Sequence, residues 1–246
     1  MHSYGFSTGA LALGDFEKAL DLLLAHDVKA VELSALRDHE LPVLMGALSH
    51  LDTSRYEYVS VHAPSRFSSL SEAEAADLLS PCLERGWPII LHPDAISDPS
   101  AWDRFGEFLC IENMDKRKPR GRTPEELQPW FERFPNATFC FDLGHARQVD
   151  PSLTMAHEFT RRFGHRLRQV HLSELNSQSK HERLSVATVH AIRNLALRLS
   201  STAVILESVV DESQIGLELE MAKTALEDLK PGVREAAVPP VTMGCP

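Results

Sequence analysis

The chain alternates between short apolar runs and longer segments in which apolar residues recur every three or four positions. The short runs are bounded by turn residues, the pattern of buried strands. They fall at 4–7, 30–33, 58–62, 88–92, 108–112, 138–142, 168–172 and 203–207, a spacing of very roughly thirty residues. Between them, DFEKALDLLLAHD carries a helical apolar stripe behind Asp15, a candidate N-cap, and SEAEAADLLSPCLERG places Ser71 three residues before Glu74, the spacing of a capping box. TPEELQPWFERF and SVATVHAIRNLALRL repeat the scheme behind an opening Thr or Ser. Strands alternating with helices pair in parallel through right-handed crossovers, and eight such units predict a closed (β/α)8 TIM barrel rather than an open doubly wound sheet. The fourth unit is the weakest, because DAISDPSAWDRFG is too short for a full crossover helix. After residue 230 periodicity stops and proline accumulates, so residues 1–230 are expected to form the barrel and 231–246 a flexible tail in which Cys245 is inert.

Composition narrows the class. The 246 residues are 43% hydrophobic and 24% charged, the balance of an ordinary folded domain. No apolar run approaches the ~18–20 residues that span a bilayer, and the first residues lack the features of a secretory signal. The four cysteines form no C-x-x-C pair, which leaves a reducing cytoplasm as the expected location. A net charge of -10 opposes binding of a polyanion unless cations are gathered on one face.

Active sites of (β/α)8 barrels lie where strands end and βα loops begin. With 12 His and 35 Asp plus Glu, roughly one residue in five, eight strand ends should carry one or two of these types. Seven do: Glu32, His62, His92, Glu112, Asp142, His171 and Glu207. Any one of them alone is more simply a hydrogen-bonded core residue. As a set the carboxylates would repel one another at a barrel mouth unless cations balanced them, and imidazoles add neutral nitrogen donors. Metal ions are the economical answer. His145, three residues after Asp142 in DLGH, and His181, in the loop SELNSQSKHERLS, belong to the same face, although a loop histidine is by itself commonly only solvated. The expected ligands are therefore His62, His92, Glu112, Asp142, His145, His171, His181 and Glu207. Nitrogen and oxygen donors without thiolate suit Zn, Mn or Fe alike, and eight ligands fill two or three divalent ions, with Glu112 placed to bridge a pair.

Lys116, Arg117, Lys118, Arg120 and Arg122 crowd the fifth loop, just after Glu112. Such a run is often only a solvated charge cluster. Its position favours an arm that binds a substrate phosphate, with Arg37 and Arg66 of the second and third loops converging on it. Cys110 and Cys140 precede Glu112 and Asp142 by two residues, so strand alternation points them into the barrel one layer below, as filling. Neither G-x-x-x-x-G-K-S/T nor G-x-G-x-x-G is present, so no nucleotide cofactor is expected.

These residues lie in VHAPS, LHPD, IENM, DLGH, VHLSE and ILES, and over 4–227 the chain resembles the xylose isomerase-like barrels, within them the endonuclease IV (family 2 apurinic endonuclease) branch. The resemblance implies that Glu112, Asp142, His171 and Glu207 are the ligands shared across isomerase, epimerase and endonuclease branches. It implies further that His62 and His92 hold another zinc beside Glu112, and that His145 and His181 match two ligands of a third. The chain departs from that branch in having Ser179-Lys180-His181 where it carries Asp-Arg-His, and Ser65 where it carries a tyrosine. His171, Ser173, Glu174 and Asn176 are similar to the H-x-S-E-x-N of ketose epimerases, without the Arg that follows it there or their Glu-Pro-Leu-Asn.

The favoured function is a multinuclear metal-dependent phosphoesterase, with Glu112 and Glu207 carrying the chemistry on a small phosphorylated or sugar substrate and long DNA disfavoured. A mononuclear sugar isomerase or epimerase is the alternative, and a non-catalytic metal-binding sensor the third.

Overall fold

A computed structural model describes residues 2–195, 199 and 201–226. The proposed tail at 231–246, with Cys245, lies outside the described residues. Eight parallel strands form a closed barrel: β1 (Ser3–Ser7), β2 (Ala30–Ser34), β3 (Tyr58–His62), β4 (Ile89–Leu91), β5 (Leu109–Glu112), β6 (Thr138–Asp142), β7 (Leu167–Leu172) and β8 (Ala203–Leu206). Each pairs with its neighbours in sequence, and β8 closes on β1. This is the predicted fold, with strand ends shifted by at most one residue.

The helix starts follow from local chemistry. Asp15 accepts from the Lys18 amide and opens Phe16–Leu23. Ser71 and Glu74 form the reciprocal capping box that opens Glu72–Leu79. Thr123 and Ser185 cap Pro124–Arg133 and Val186–Asn194. In the fourth unit the crossover is a 3₁₀ segment, Pro99–Phe108, broken at Gly106 with φ 51°, a conformation glycine tolerates. The outer faces of the strands pack on the helices through a continuous apolar core that includes Phe131, Phe139, Phe141, Phe159 and Trp102. Inside the barrel, Ile90, Cys110 and Cys140 form one small cluster and Ala30, Ala203 and Ile205 another. Both cysteines thus fill the interior as expected. No described helix is long and apolar enough to cross a membrane.

Candidate metal centre

Parallel pairing sends every strand end to one side of the barrel, and the register brings the polar residues there level. Asp142 of β6 pairs with His171 of β7, which pairs with Ile205 of β8, two residues before Glu207. Glu112, 1% exposed, is the hub. Its Oε2 lies 3.3 Å from His62 Nε2, 3.4 Å from His92 Nε2 and 3.5 Å from His171 Nδ1, and its Oε1 lies 3.1 Å from His145 Nδ1. His171 Nδ1 is also 3.5 Å from Glu207 Oε2. Among the described residues, four groups have donor atoms within 4.8 Å of one another. Two of them draw on the layer beneath the mouth, Glu32 with His62, His171 and Glu207, and Cys140 with Glu112 and His171. The two made of mouth residues, His62, His92 and Glu112, and Glu112, Asp142, His171 and Glu207, have only Glu112 in common.

Asp142 Oδ2, His171 Nδ1 and Glu207 Oε2 are buried without a hydrogen-bond partner in the protein. Orphaned acceptors are costly, and these converge on one point, so the donor set fits a divalent ion. The ring orientations agree. His62 Nδ1–H donates to the Ala63 carbonyl at 2.7 Å, leaving Nε2 for the centre. His171 Nε2 faces the layer beneath, 3.1 Å from Glu32 Oε2 and 2.6 Å from Gln169 Nε2, leaving Nδ1 toward the centre. Glu32 Oε2 is itself held by Ser60 Oγ at 3.1 Å and Gln169 Nε2 at 2.7 Å, and Tyr58 O–H donates to Gln169 Oε1 at 2.8 Å, which fixes the amide's orientation. Asn113 joins β5 to β6, donating to the Asp142 carbonyl and accepting from its amide, both at 2.8 Å.

Glu32 corrects the sequence pattern. Its apolar run suggests a strand end there, but β2 continues to Ser34, whose partner is His62, so Glu32 pairs with Ser60 one layer beneath the mouth. Strand ends are set by where backbone pairing stops rather than by where apolar residues stop. Glu32, Ser60, Gln169 and Asn113 support the ligands, and the polar residues interrupting strands at Glu32 and Gln169 are the signal for them.

The electrostatics are those of buried charges compensating one another. Burial opposes ionisation of Glu112, yet His171, His92 and His145 hold its carboxyl well below the usual range. Burial also disfavours protonation of His62, but Glu112 and Glu32 outweigh it and raise the imidazole to about 9. His145, likewise buried, is lifted to about 10 by Asp142 and Glu112. Glu207 is pushed up to about 8 by burial, with Glu112 and Asp142 outweighing the attraction of His171. Without a metal the carboxylates therefore keep protons close, and a divalent ion substitutes for them. Burial, reinforced by its neighbour Cys110, keeps Cys140 protonated, a poor nucleophile and ligand.

His145 and His181 stand with rings 5.7 Å apart, but neither joins a three-residue ligand group among the described residues. His181 Nδ1 meets Ser173 Oγ at 2.8 Å, and Ser179 Oγ turns to Gln148 at 2.6 Å. The short hairpin of Glu174–Leu175 with His181–Glu182 carries this loop over the mouth.

The cations are arranged differently. Arg117 pairs with Asp115 at 3.2 Å and donates to the Ser179 carbonyl, Lys118 pairs with Asp94 at 2.9 Å, and Arg122 pairs with Glu126. Arg120 lies over Trp130, and Arg37 meets Glu40 at 3.0 Å. Among the described residues Arg66 and Lys116 have no ion-pair partner, and each lines a separate cavity beside the mouth. A cavity of about 550 Å³ opens over His62, His92 and Glu207 and is lined by Lys180, a cation the sequence pattern did not single out; the neighbouring one at Arg66 is larger, about 690 Å³, but does not reach these residues.

Fold and site together define a closed eight-stranded parallel (β/α) barrel with a candidate metal centre at its mouth. No family model matches the chain, and no curated protein matches it. Among solved structures it is similar to endonuclease IV from Thermus thermophilus, at 20% identity over 91% of this chain and 98% of that one, with a TM-score of 0.61. It is also similar to a 3-keto-D-glucoside 4-epimerase from E. coli (9% identity, 92% and 99% covered, TM-score 0.58) and a sugar phosphate isomerase/epimerase from Parabacteroides distasonis (14%, 94% and 96%, TM-score 0.50). At these identities the likeness establishes the fold.

Proposed function

We propose that the protein is a divalent-metal-dependent phosphoesterase acting on a small phosphorylated substrate. The observation that carries this reading is the sharing of Glu112 by two ligand groups, the arrangement in which one carboxylate holds a pair of ions. His62 and His92 would hold one ion with Glu112, and Asp142, His171 and Glu207 the other. Ions held there supply Lewis-acid polarisation of a phosphoryl oxygen and an acidified water. The chain's own residues orient and neutralise. Lys180 stands at the cavity wall to meet a phosphate, with Arg66 and Lys116 as further unpaired cations and Arg117, Lys118 and Arg37 already engaged. Glu207 lines the cavity beside the ion it would hold, so its carboxylate can also accept a proton from a group on the substrate. A cavity of this volume suits a small molecule rather than a duplex.

That same Glu207 favours a second reading, in which one ion and a proton-shuttling carboxyl interconvert sugars. The discriminating experiment is turnover on phosphomonoesters and phosphodiesters beside ketose interconversion, with Zn-, Mn- and Fe-loaded protein. Phosphoester hydrolysis is expected. Ketose interconversion without hydrolysis would transfer the assignment to the isomerase reading.

A further inference from the structure

The cavity over the metal centre has two unlike walls. Loops after β3, β4 and β7 bring His62, His92, Lys180 and His181 to it. Loops after β8, β1 and β2, neighbours around the barrel, each bring one large aliphatic side chain: Val209, Leu13 and Leu36, exposed by 56%, 69% and 41%. Only seven large hydrophobics are conspicuously exposed among the described residues, so three on one cavity wall is a concentration. Ala10 and Ala35 continue the same surface.

Leu13 adds an independent observation. It has φ 55° and ψ -124°, a conformation that suits glycine and strains a residue with a Cβ. The chain keeps a leucine there although its side chain gains little burial. Strain of this kind persists where the side chain has work at a site.

Resting on the phosphoesterase reading, we infer that the substrate is a phosphoester whose organic group is an apolar ring packed against Leu13, Leu36 and Val209, rather than a bare sugar. The hydroxyls of a sugar would lose water against these three side chains, and the nearest hydroxyls of the lining, Ser7 and Ser34, already bond each other at 2.7 Å. An apolar ring loses nothing of the kind and removes three exposed aliphatic side chains from water. The phosphate would face Lys180 and the ligands across the cavity.

The test is calorimetric binding of phenylphosphonate and methylphosphonate to the metal-loaded protein and to its Leu13→Gly and Leu36→Ser variants. The expected result is at least about tenfold tighter binding of phenylphosphonate by the native protein, from the apolar area it covers, falling to within about threefold in either variant at unchanged metal content. Leu13→Gly should also melt no lower than the native protein, because glycine relieves the strained backbone. Equal affinity for the two probes, or a preference that survives both substitutions, overturns the inference and leaves the phosphoesterase reading standing. If neither phosphonate binds, that reading fails, and saturation transfer between toluene and the protein's methyl groups decides the rest. Transfer that is lost in Leu36→Ser keeps the apolar subsite, and no transfer in the native protein overturns it.

Discussion

The strand-end carboxylates and imidazoles and the cations of the 116–122 loop occupy the same barrel mouth, but their polar atoms are disposed in opposite ways. In the loop, Arg117, Lys118 and Arg122 each have a carboxylate within 3.2 Å. At the strand ends, Asp142, His171 and Glu207 each keep a buried atom without a hydrogen-bond partner, 3.4–3.5 Å from the nearest group of opposite kind. The loop spends its charge on the fold, whereas the barrel interior holds its donors apart and ready for a ligand. Charge density in a sequence therefore says less about a site than the setting of each charge does.

The comparison is broken most severely at Glu112. Glu112→Gln should lose bound metal and activity by more than the roughly 10- to 100-fold that an outer hydrogen bond is worth, since both ligand groups share this residue. Full metal content after the change, by elemental analysis, contradicts the assignment. Cys140→Ser serves as its control and should leave metal content nearly unchanged.

Glu32→Gln should lower metal affinity by about 10- to 100-fold without removing an ion, because it weakens the acceptor that orients His171. Chelator competition measures the affinity, and a histidine nitrogen NMR spectrum reports the tautomer. An unchanged dissociation constant with a lowered melting temperature would reduce Glu32 to a core residue.

Protonation sharpens the contrast. His62 and His145 are raised to about 9 and 10, and Glu207 to about 8, so in the metal-free protein they hold protons at neutral pH. Loading the ions displaces the protons of His62 and Glu207, which would be ligands, so apparent affinity should rise as pH rises toward about 9 and fall on the acid side. Calorimetry in buffers of different ionisation enthalpy should show net proton release at pH 7, and none would contradict the account.

The smallest effects belong to the loop. Lys118→Ala should change stability by about 0–1 kcal/mol and KM by no more than about threefold, because its charge already answers Asp94. Lys180→Ala, which removes a cation lining the cavity over the metal centre, should raise KM more. The reverse order would return the phosphate-binding role to the loop.

Much of this is legible in the sequence. Eight apolar runs suffice for the barrel, because buried parallel strands cannot tolerate polar residues without a reason. For the same reason the interruptions at His62, His92, Glu112, Asp142, His171 and Glu207 mark the centre. What escapes depends on contacts rather than pattern. Glu32 sits a layer too low because pairing runs on to Ser34, the loop cations are answered by Asp115 and Glu126 close by and by Asp94 from the preceding loop, and the apolar wall is assembled from three loops far apart in the chain.

The number of ions per chain tests the central claim most directly. Elemental analysis of native protein purified without chelator should find at least two divalent transition-metal ions per chain, as two groups sharing Glu112 require. A single ion, or none, would contradict it.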